Sequence, residues 1–290
     1  MDIKAIIMGI GFALMWSSAF TSARVIVEFA PPLTALALRF LISGVIGIAI
    51  AWSLGQSARL TRTQWTGVLI FGVCQNALYL GLNFVAMQTI PASLAAIIAS
   101  TMPLLVALVG WLVFGNKVRP LGIAGLVAGL VGVVLIMGAR LQGGVDPFGL
   151  VLCIIGVGSL TIATLAVLGA SSGGNVLMIV GLQMLVGSAL LWIPALTIEV
   201  WDVTWNWQLI VAFTYTTLVP GLAATLVWFL LVGRIGAVKA STFHFLNPFL
   251  GVAIAAVLLG ERIGVLDVVG VMIIAGGILA VQLSKQPTAK

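Results

Sequence analysis

The chain has 290 residues, of which 62% are hydrophobic and 7% are charged, and its mean hydropathy is +1.27. A water-soluble domain carries roughly 25% charged residues. The composition therefore excludes a soluble globular protein and indicates a chain that lies in lipid.

Ten apolar runs are long enough to cross a bilayer, because about 20 helical residues span its hydrocarbon core of roughly 30 Å. The runs are too long and too continuous for barrel strands, which alternate over about 10 residues. The first run exceeds the core of a signal peptide, so we expect it to be retained. The sequence predicts an all-α membrane protein with ten transmembrane helices, over residues 5–27, 33–54, 64–87, 93–114, 120–138, 147–168, 176–198, 206–232, 239–259 and 263–283.

Polar side chains within spans are costly and usually face the interior of the protein, so each is a candidate functional residue. In the first span, Trp16 and Ser17 are candidates for the wall of a substrate cavity. In the second span, Arg39 lies about 9 Å from the nearer end at the helical rise per residue. We predict that Arg39 snorkels or pairs with Asp267 of the tenth span; capture of a substrate carboxylate is the alternative.

The third span carries a polar stripe formed by Gln75, Asn76, Tyr79 and Asn83. Their spacing of three, four and seven residues places them on one helix face. Such a face can hydrogen-bond an amino or carboxylate group, and the tyrosine ring adds an apolar wall. We therefore predict a substrate-binding stripe, with hydrogen bonding between helices as the alternative.

Prolines interrupt the fourth, eighth and ninth spans at Pro103, Pro220 and Pro248. Proline has no amide hydrogen and clashes with the carbonyl four residues earlier, so Pro103 and Pro248 should free the carbonyls of Ala99 and His244. Interrupted helices at corresponding places in two halves point to a binding site. We predict that the three prolines break their helices and act in gating, with a simple packing kink as the alternative.

The eighth and ninth spans add three candidate cavity residues, Trp228, His244 and Asn247. His244 is the only histidine of the chain, and an imidazole can titrate near neutral pH. We therefore consider His244 and Asp267 as candidates for proton coupling, with a satisfied packing role for His244 as the alternative.

The chain can be superimposed on itself at an offset of 145 residues without a gap. Pro103 then falls on Pro248, and Gly115 on Gly260. This indicates an internal duplication into residues 1–145 and 146–290, within one integrated transmembrane domain. Each repeat has five spans, an odd number, so we predict two inverted five-helix repeats.

The basic residues are unevenly distributed over the predicted loops. With the N-terminus in the cytoplasm, nine of the 13 lie inside, three outside and Arg39 within a span. The positive-inside rule therefore predicts that both termini are cytoplasmic, and the net charge of +6 reflects topology rather than a nucleic-acid surface. The inside set is Lys4, Arg59, Arg62, Lys117, Arg119, Arg234, Lys239, Lys285 and Lys290, and the outside set is Arg24, Arg140 and Arg262.

A glycine stripe marks the fifth span and part of it recurs in the tenth. Small residues at this spacing let helices approach closely. We expect tight packing within a monomer, with a dimer contact as the alternative. The stripe consists of Gly122, Gly125, Gly129, Gly132, Gly270 and Gly277.

Two segments resemble the signatures of the EamA-type drug/metabolite transporters. Residues 246–280 read LNPFLGVAIAAVLLGERIGVLDVVGVMIIAGGILA, and residues 101–137 repeat the pattern as TMPLLVALVGWLVFGNKVRPLGIAGLVAGLVGVVLIM, with Asn116 and Lys117 in place of the Glu and Arg. The opening MWSSAF, the pair Pro31 and Pro32, and ALRFLIS are similar to the start of the first repeat. Within this superfamily the chain looks most like YddG-type amino-acid exporters.

The resemblance implies ten helices in two inverted repeats, a central cavity and export of small metabolites. We therefore predict a secondary transporter of the inner membrane that exports aromatic and other neutral amino acids by alternating access. The alternative is a broad-specificity multidrug or metabolite exporter. An enzyme would need a nucleophile and base, a metal cluster or paired carboxylates, and we find no such set, so no enzymatic activity, metal or cofactor is expected.

Overall fold

The structure is a computed structural model that describes residues 3–167 and 173–284. This part of the chain is helical and contains no strand, and ten of its helices are long and apolar enough to cross a membrane. Each overlaps one predicted run, so the predicted ten-helix, all-α membrane fold is confirmed. We name them α1 (Ile3–Phe29), α2 (Pro32–Ser53), α3 (Arg62–Ala86), α4 (Ala92–Leu112), α5 (Pro120–Gln142), α6 (Pro147–Ala166), α7 (Val176–Ile198), α8 (Trp207–Ile235), α9 (Ser241–Leu259) and α10 (Val265–Ser284).

Some sequence predictions fall on residues that the structure does not describe. Lys285 and Lys290, which contribute to the predicted orientation, lie outside the described residues, as do residue 168 and both chain termini. The cytoplasmic placement of the termini therefore stays a prediction.

The chain divides into two compact units, and each draws on both halves of the sequence. Unit 1 comprises the described parts of Met1–Thr21, Thr89–Leu150 and Val227–Lys290. Unit 2 comprises the described parts of Ser22–Gln88 and Val151–Leu226. The division into repeats at residue 145 and their inverted orientation remain predictions.

In unit 1, the glycine stripe brings α5 and α10 into backbone contact. A Cβ atom added to Gly125 would lie 2.7 Å from the carbonyl oxygen of Gly277, and one added to Gly277 would lie 2.6 Å from that of Gly125. Gly132 and Gly270 repeat this close approach further along the same helices. The stripe is therefore used for packing between two helices of one unit, as the sequence suggested.

Side chains from loops and helix ends cap the helices, because the first amide groups of a helix have no partner within it. In unit 1, Glu261 accepts hydrogen bonds from the backbone N–H groups of Ala92 (2.7 Å) and Ser93 (3.0 Å) at the start of α4. Asp146 accepts from the N–H of Gly149 at the start of α6 and from the hydroxyl of Thr89. Two of these hydrogen bonds hold the pKa of the Asp146 carboxyl below its usual value. The larger effect comes from the Thr89 hydroxyl and the smaller one from the Gly149 N–H.

In unit 2, α2 and α7 pack closely and are capped in a reciprocal way. Glu199, just after α7, accepts hydrogen bonds from the N–H groups of Leu33 (2.7 Å) and Thr34 (2.8 Å) at the start of α2. Gln56, after α2, accepts from the N–H of Met178 (3.1 Å) at the start of α7. Leu33 and Met178 are 145 residues apart. The N–H group at the corresponding position near the start of α2 and of α7 is therefore capped by a side chain in both halves of the sequence.

The helix irregularities also recur at the offset of 145 residues. In unit 1, α4 restarts at Met102 and α9 changes from 3₁₀ to α geometry at Asn247. In unit 2, α3 and α8 each contain a π-helical stretch, Gly72–Leu80 and Thr217–Ala223. Such wide turns are rare and often occur at functional sites. The recurrence supports an internal duplication.

The prolines affect their helices differently. Pro103 and Pro248 each take the second position of a new helical segment, where a missing amide hydrogen costs little, so the predicted interruptions of α4 and α9 are present. Pro220 does not break α8, which continues through it as a π-helix. The matching stretch of α3 has the same geometry without a proline, so Pro220 alone does not explain the wide turn.

Replacing Gly125 by alanine should destabilise the fold by about 1–3 kcal/mol, because the added methyl group meets the backbone of α10. Gly138 lies on the same helix with nothing within 4 Å of its Cβ position, so Gly138→Ala is the matched control. Thermal unfolding of both variants in detergent measures the difference. Equal melting temperatures for the two variants would show that α5 and α10 do not pack at Gly125.

Candidate functional site

Unit 1 brings an aromatic cluster together from α1, α8 and α9. The ring centroid of Phe12 lies 4.7 Å from that of Trp228, 5.5 Å from that of His244 and 5.9 Å from that of Trp16. Trp228 and His244 are also stacked, at 5.2 Å and 23°. The structure thus joins Trp16, Trp228 and His244, three residues that the sequence singled out. We call these four residues the aromatic cluster.

Two buried polar atoms beside the cluster make no hydrogen bond. They are Nδ1 of His244 and Oδ1 of Asn247, and Asn247 is 6% exposed. The hydroxyl of Ser17 donates to the backbone carbonyl of Asn247 (3.3 Å). Ser17 therefore makes no hydrogen bond with the side-chain amide of Asn247. An unpaired buried polar atom costs about 1–3 kcal/mol, so a hydrogen-bonding partner at either atom would be stabilising.

The interruption of α9 positions these groups. The 3₁₀ segment Ser241–Leu246 carries His244, and the following α-helix begins at Asn247. The predicted bare carbonyl at His244 is not found, because the N–H of Asn247 donates to it across the 3₁₀ turn. At the equivalent break in α4, the N–H of Thr101 is directed to the carbonyls of Ile98 and Ala99. In α9 the tighter turn therefore satisfies the carbonyl that Pro248 was expected to free. In α4 the N–H of Thr101 donates to the carbonyl of Ile98 at 3.1 Å.

This arrangement can bind a flat apolar group and a hydrogen-bonding head together. Aromatic faces attract other rings and also cations. The Asn247 carbonyl oxygen accepts hydrogen bonds, and His244 Nδ1 accepts or donates according to its tautomer. The described part of the chain contains no group of three His, Cys, Asp or Glu residues that could hold a metal ion.

Unit 2 contains the polar stripe of α3, whose amides are used in helix packing. Asn76 donates to the carbonyl of Gln183 on α7 (2.9 Å). Asn83 donates to the carbonyl of Tyr79 (2.8 Å) and accepts from the thiol of Cys153 on α6 (3.4 Å). For Asn76 and Asn83, these contacts agree with the alternative interpretation of the stripe, in which its side chains form hydrogen bonds between helices.

Tyr79 is 1% exposed, and its ring packs beside Gly156 of α6. Gln75 is half-buried on the same π-helical stretch. Neither side chain is drawn into the interhelical hydrogen bonds of Asn76 and Asn83, so a role for Gln75 and Tyr79 in substrate binding stays a prediction.

The structure gives Asp267 a different basic partner from the one suggested by the sequence. In unit 1, Arg140 contacts both carboxylate oxygens of Asp267, at 3.0 and 2.9 Å, and the N–H of Gly264 also donates to Asp267. The predicted pairing of Asp267 with Arg39 is therefore corrected to a pairing with Arg140. The sequence interpretation failed because Arg140, in a predicted loop, is the last-turn residue of a longer α5.

Unit 2 also contains a cavity of about 450 Å³ at the end where α1 finishes and α2 begins. Its lining includes Glu28, Glu199 and Asp202. Glu199 is already engaged by the first turn of α2, and Glu28 pairs with Arg24 at 3.3 Å. The acidic groups are thus largely committed to local structure.

Sequence reasoning missed several residues that the structure shows to be important. Phe12 is central to the aromatic cluster, but a phenylalanine in an apolar span carries no signal of its own. Glu199 and Glu261 are capping residues, and each lies in a loop far along the chain from the helix that it caps. For Glu261 a signal was available, since it belongs to the Leu-Gly-Glu-Arg turn.

Comparison with known proteins shows what this chain is similar to. A solved crystal structure superimposes with a TM-score of 0.69 over 97% of this chain and 98% of its own, at 21% identity, which shows a shared fold. The uncharacterized transporter YvbV of Bacillus subtilis is 25% identical over 92% of this chain and 88% of its own length. The uncharacterized inner membrane transporter YedA of Escherichia coli is 28% identical, over 96% and 91%.

The aromatic amino acid exporter YddG of Ancylobacter novellus is 31% identical over 48% of this chain and 48% of its own length. The pattern of the EamA-like transporter family matches the chain twice, over residues 3–138 and 147–283. Together with ten membrane-spanning helices, this double match shows that the chain belongs to the EamA-like transporter family.

Proposed function

We propose that this transporter exports amino acids, aromatic and other neutral ones, or related small metabolites, by alternating access. The observation that carries the proposal is the aromatic cluster with the two unpaired buried atoms beside it, His244 Nδ1 and Asn247 Oδ1. An aromatic amino acid combines a flat ring with an ammonium group that has three hydrogen-bond donors. The ring matches the cluster, and the ammonium group matches Asn247 Oδ1 and the faces of the aromatic rings.

The YddG exporter supports this substrate class, although its match covers half of the chain. YedA is an inner membrane transporter, and we place this chain in the inner membrane as well, with both termini in the cytoplasm. This orientation follows from the excess of basic residues on that side. Solute would then enter from the cytoplasm and leave on the opposite side.

The interrupted helices supply the bending points for the transport cycle. The breaks at Thr101 in α4 and before Asn247 in α9 lack the continuous α-helical hydrogen bonding of their flanks, and hinges of this kind absorb changes in backbone angles. Pro103 and Pro248 keep the breaks in place. Because the α9 break carries His244 and Asn247, a change of its geometry would expose or close the binding groups.

A substrate panel in proteoliposomes tests the proposal. Vesicles containing the full chain and loaded with unlabelled amino acid should take up radiolabelled phenylalanine, tryptophan or leucine by exchange. Protein-free vesicles provide the control, and lipophilic cationic dyes provide the alternative substrate class. Exchange of dyes without exchange of any amino acid would overturn the proposal in favour of a multidrug exporter.

An imposed pH gradient addresses the energy source in the same vesicles. Asp267 is engaged by Arg140 and Gly264, so we assign any proton coupling to His244. Uptake that follows the gradient in the wild type and loses that dependence in His244→Phe would support this assignment. A rate of uptake that is the same with and without the pH gradient identifies facilitated transport without proton coupling.

A further inference from the structure

One end of unit 1 brings together the start of α1, the end of α8 and the start of α9. Ala5, Leu231, Ala240 and Phe243 form a hydrophobic cluster there, and the first three are fully buried. Gly9, one turn after Ala5, packs so closely against the Phe243 ring that an added Cβ atom would overlap it. The three segments are therefore fixed side by side, and we call these four residues the end cluster.

Each of the three segments carries an exposed basic residue beside the end cluster. Lys4 and Lys239 each directly precede a residue of the cluster, and Arg234 follows Leu231 by three residues. Among the residues that the structure describes, neither Lys4 nor Lys239 forms an ion pair. The end cluster thus holds three cationic side chains around one small contact between helices. We call Lys4, Arg234 and Lys239 the basic triad.

The charges of unit 1 are separated between its two ends. Lys117 and Arg119, which connect α4 to α5, lie at the same end as the basic triad. The start of α5 contacts Ser284 of α10 there, and Ser241 of α9 donates to Gln282 of α10 (3.0 Å). The acidic residues that the structure describes in unit 1 lie at the opposite end, where α4 and α10 begin, and they are Asp146, Glu261 and Asp267. Within the described residues, the end with the triad therefore carries five basic side chains and no acidic one.

Exposed apolar side chains run along α1 and α8 away from the basic triad. On α1 they recur at spacings of four, three and four residues, which places them on one helix face. They are Ile3, Ile7, Ile10 and Leu14. On α8, Leu230 is 56% exposed and precedes Arg234 by four residues. In a membrane-spanning helix such a face contacts lipid chains, and basic side chains at its end reach the level of the head groups.

We propose that the basic triad binds the phosphate group of an anionic phospholipid, whose acyl chains lie along the exposed faces of α1 and α8. Clustered lysine and arginine side chains next to a transmembrane helix attract anionic head groups, and their N–H groups donate charge-assisted hydrogen bonds to phosphate oxygens. The adjacent apolar faces favour a lipid over free phosphate, because only a lipid also covers them. The proposal is independent of the transported solute and of the exporter function.

Thermal unfolding of the purified full chain in nonionic detergent tests the proposal. Dioctanoyl phosphatidylglycerol should raise the unfolding temperature in a saturable way, because a ligand that binds the folded state stabilises it. Dioctanoyl phosphatidylcholine has the same chains without net charge, and inorganic phosphate has the charge without chains. Both should stabilise the protein much less. Added salt should weaken the effect of phosphatidylglycerol, since exposed charges are screened.

Single substitutions locate the binding site. Lys4→Gln and Lys239→Gln should each raise the half-saturating concentration of phosphatidylglycerol by about fivefold, the usual contribution of one basic residue near an anionic membrane surface. Lys4→Arg and Lys239→Arg keep the charge and should bind the lipid as the wild type does. Lys117→Gln is the matched control, because it removes one exposed charge at the same end of unit 1 but outside the triad, and it should also bind as the wild type does.

The proposal is overturned by any of four results. Glutamine variants of the triad that respond to phosphatidylglycerol as the wild type does would remove these residues from the site. Equal losses in Lys4→Gln, Lys239→Gln and Lys117→Gln would assign the effect to general surface charge. Equal stabilisation by phosphatidylcholine would assign it to acyl chains, and equal stabilisation by phosphate to a free anion. Native mass spectrometry of the same variants counts bound phosphatidylglycerol, so a variant that is less stable without lipid still reports on binding.

Discussion

Transport of aromatic amino acids is expected to fall by about 5- to 150-fold when Trp228 is replaced by alanine. The ring of Trp228 is stacked on His244 and tilted against Phe12. Each aromatic pair contributes about 0.5–1.5 kcal/mol beyond the area that it buries. Losing the ring removes both contacts and the apolar wall of the proposed site, so the effect should be larger for phenylalanine and tryptophan than for leucine. Initial rates of exchange in proteoliposomes measure it.

Trp192 provides the matched control for this substitution. It is a half-buried tryptophan of α7 in unit 2, with its own ring contact to Trp201 at 6.0 Å. Trp192→Ala should leave the ratio of aromatic to aliphatic transport unchanged. If Trp228→Ala and Trp192→Ala lower all rates equally, the aromatic cluster contributes only to folding.

Two further variants separate stacking from hydrogen bonding within the cluster. His244→Phe keeps a ring against Trp228 but removes Nδ1, and Asn247→Leu removes Oδ1 while the backbone carbonyl that binds Ser17 remains. Both variants should reduce affinity for the ammonium-bearing solute more than they reduce thermal stability. Unchanged affinity in both would assign the unpaired atoms no role in recognition.

Asp267→Asn is expected to lower the free energy of unfolding by about 3–5 kcal/mol, the cost of breaking one side of a buried ion pair. Arg140 contacts both oxygens of Asp267, and the two side chains are 18% and 7% exposed. A neutral amide leaves the guanidinium without its counter-charge. Thermal or denaturant unfolding in detergent, combined with Arg140→Gln in a double-mutant cycle, isolates the pairwise contribution.

The pair of Arg24 and Glu28 is the control for this experiment. It is an i,i+4 pair with side chains 26% and 45% exposed, so Glu28→Gln should cost less than about 1 kcal/mol. The predicted loss of stability would be contradicted if Asp267→Asn left the free energy of unfolding unchanged and altered the pH dependence of transport. That result would return Asp267 to the coupling role considered from sequence.

Much of the fold could be predicted because lipid imposes simple rules on a sequence. A segment that crosses the hydrocarbon core must be apolar over about 20 residues and must satisfy its backbone internally, so the ten helices follow from composition and run length alone. The sequence also predicted a duplication, since residues such as Pro103 and Pro248 recur at one offset. The structure adds that the local backbone irregularities recur at the same offset.

The candidate site was predicted unevenly, for a physical reason. Trp228, His244 and Trp16 stood out because polar or amphipathic side chains are expensive in lipid, and the structure joins them. Phe12 could not stand out, because its apolar ring is ordinary in a span and only its neighbours make it part of a cluster. The stripe of α3 was visible as a pattern, yet periodicity does not reveal whether an amide such as Asn76 meets a helix backbone or a solute.

By itself, the sequence determined that this protein is a ten-helix membrane protein with the signatures of a transporter superfamily, and it predicted an internal duplication. These properties depend on local hydrophobicity and on repeated motifs, which can be read along one dimension. Only the tertiary structure decided the partners: Arg140 rather than Arg39 for Asp267, helix backbone for Asn76, ring neighbours for His244 and no described partner for Arg39. Most of these pairings join residues more than a hundred positions apart, as Arg140 and Asp267 or Phe12 and His244 do, and their energies depend on distances of a few ångströms that the order of residues does not contain.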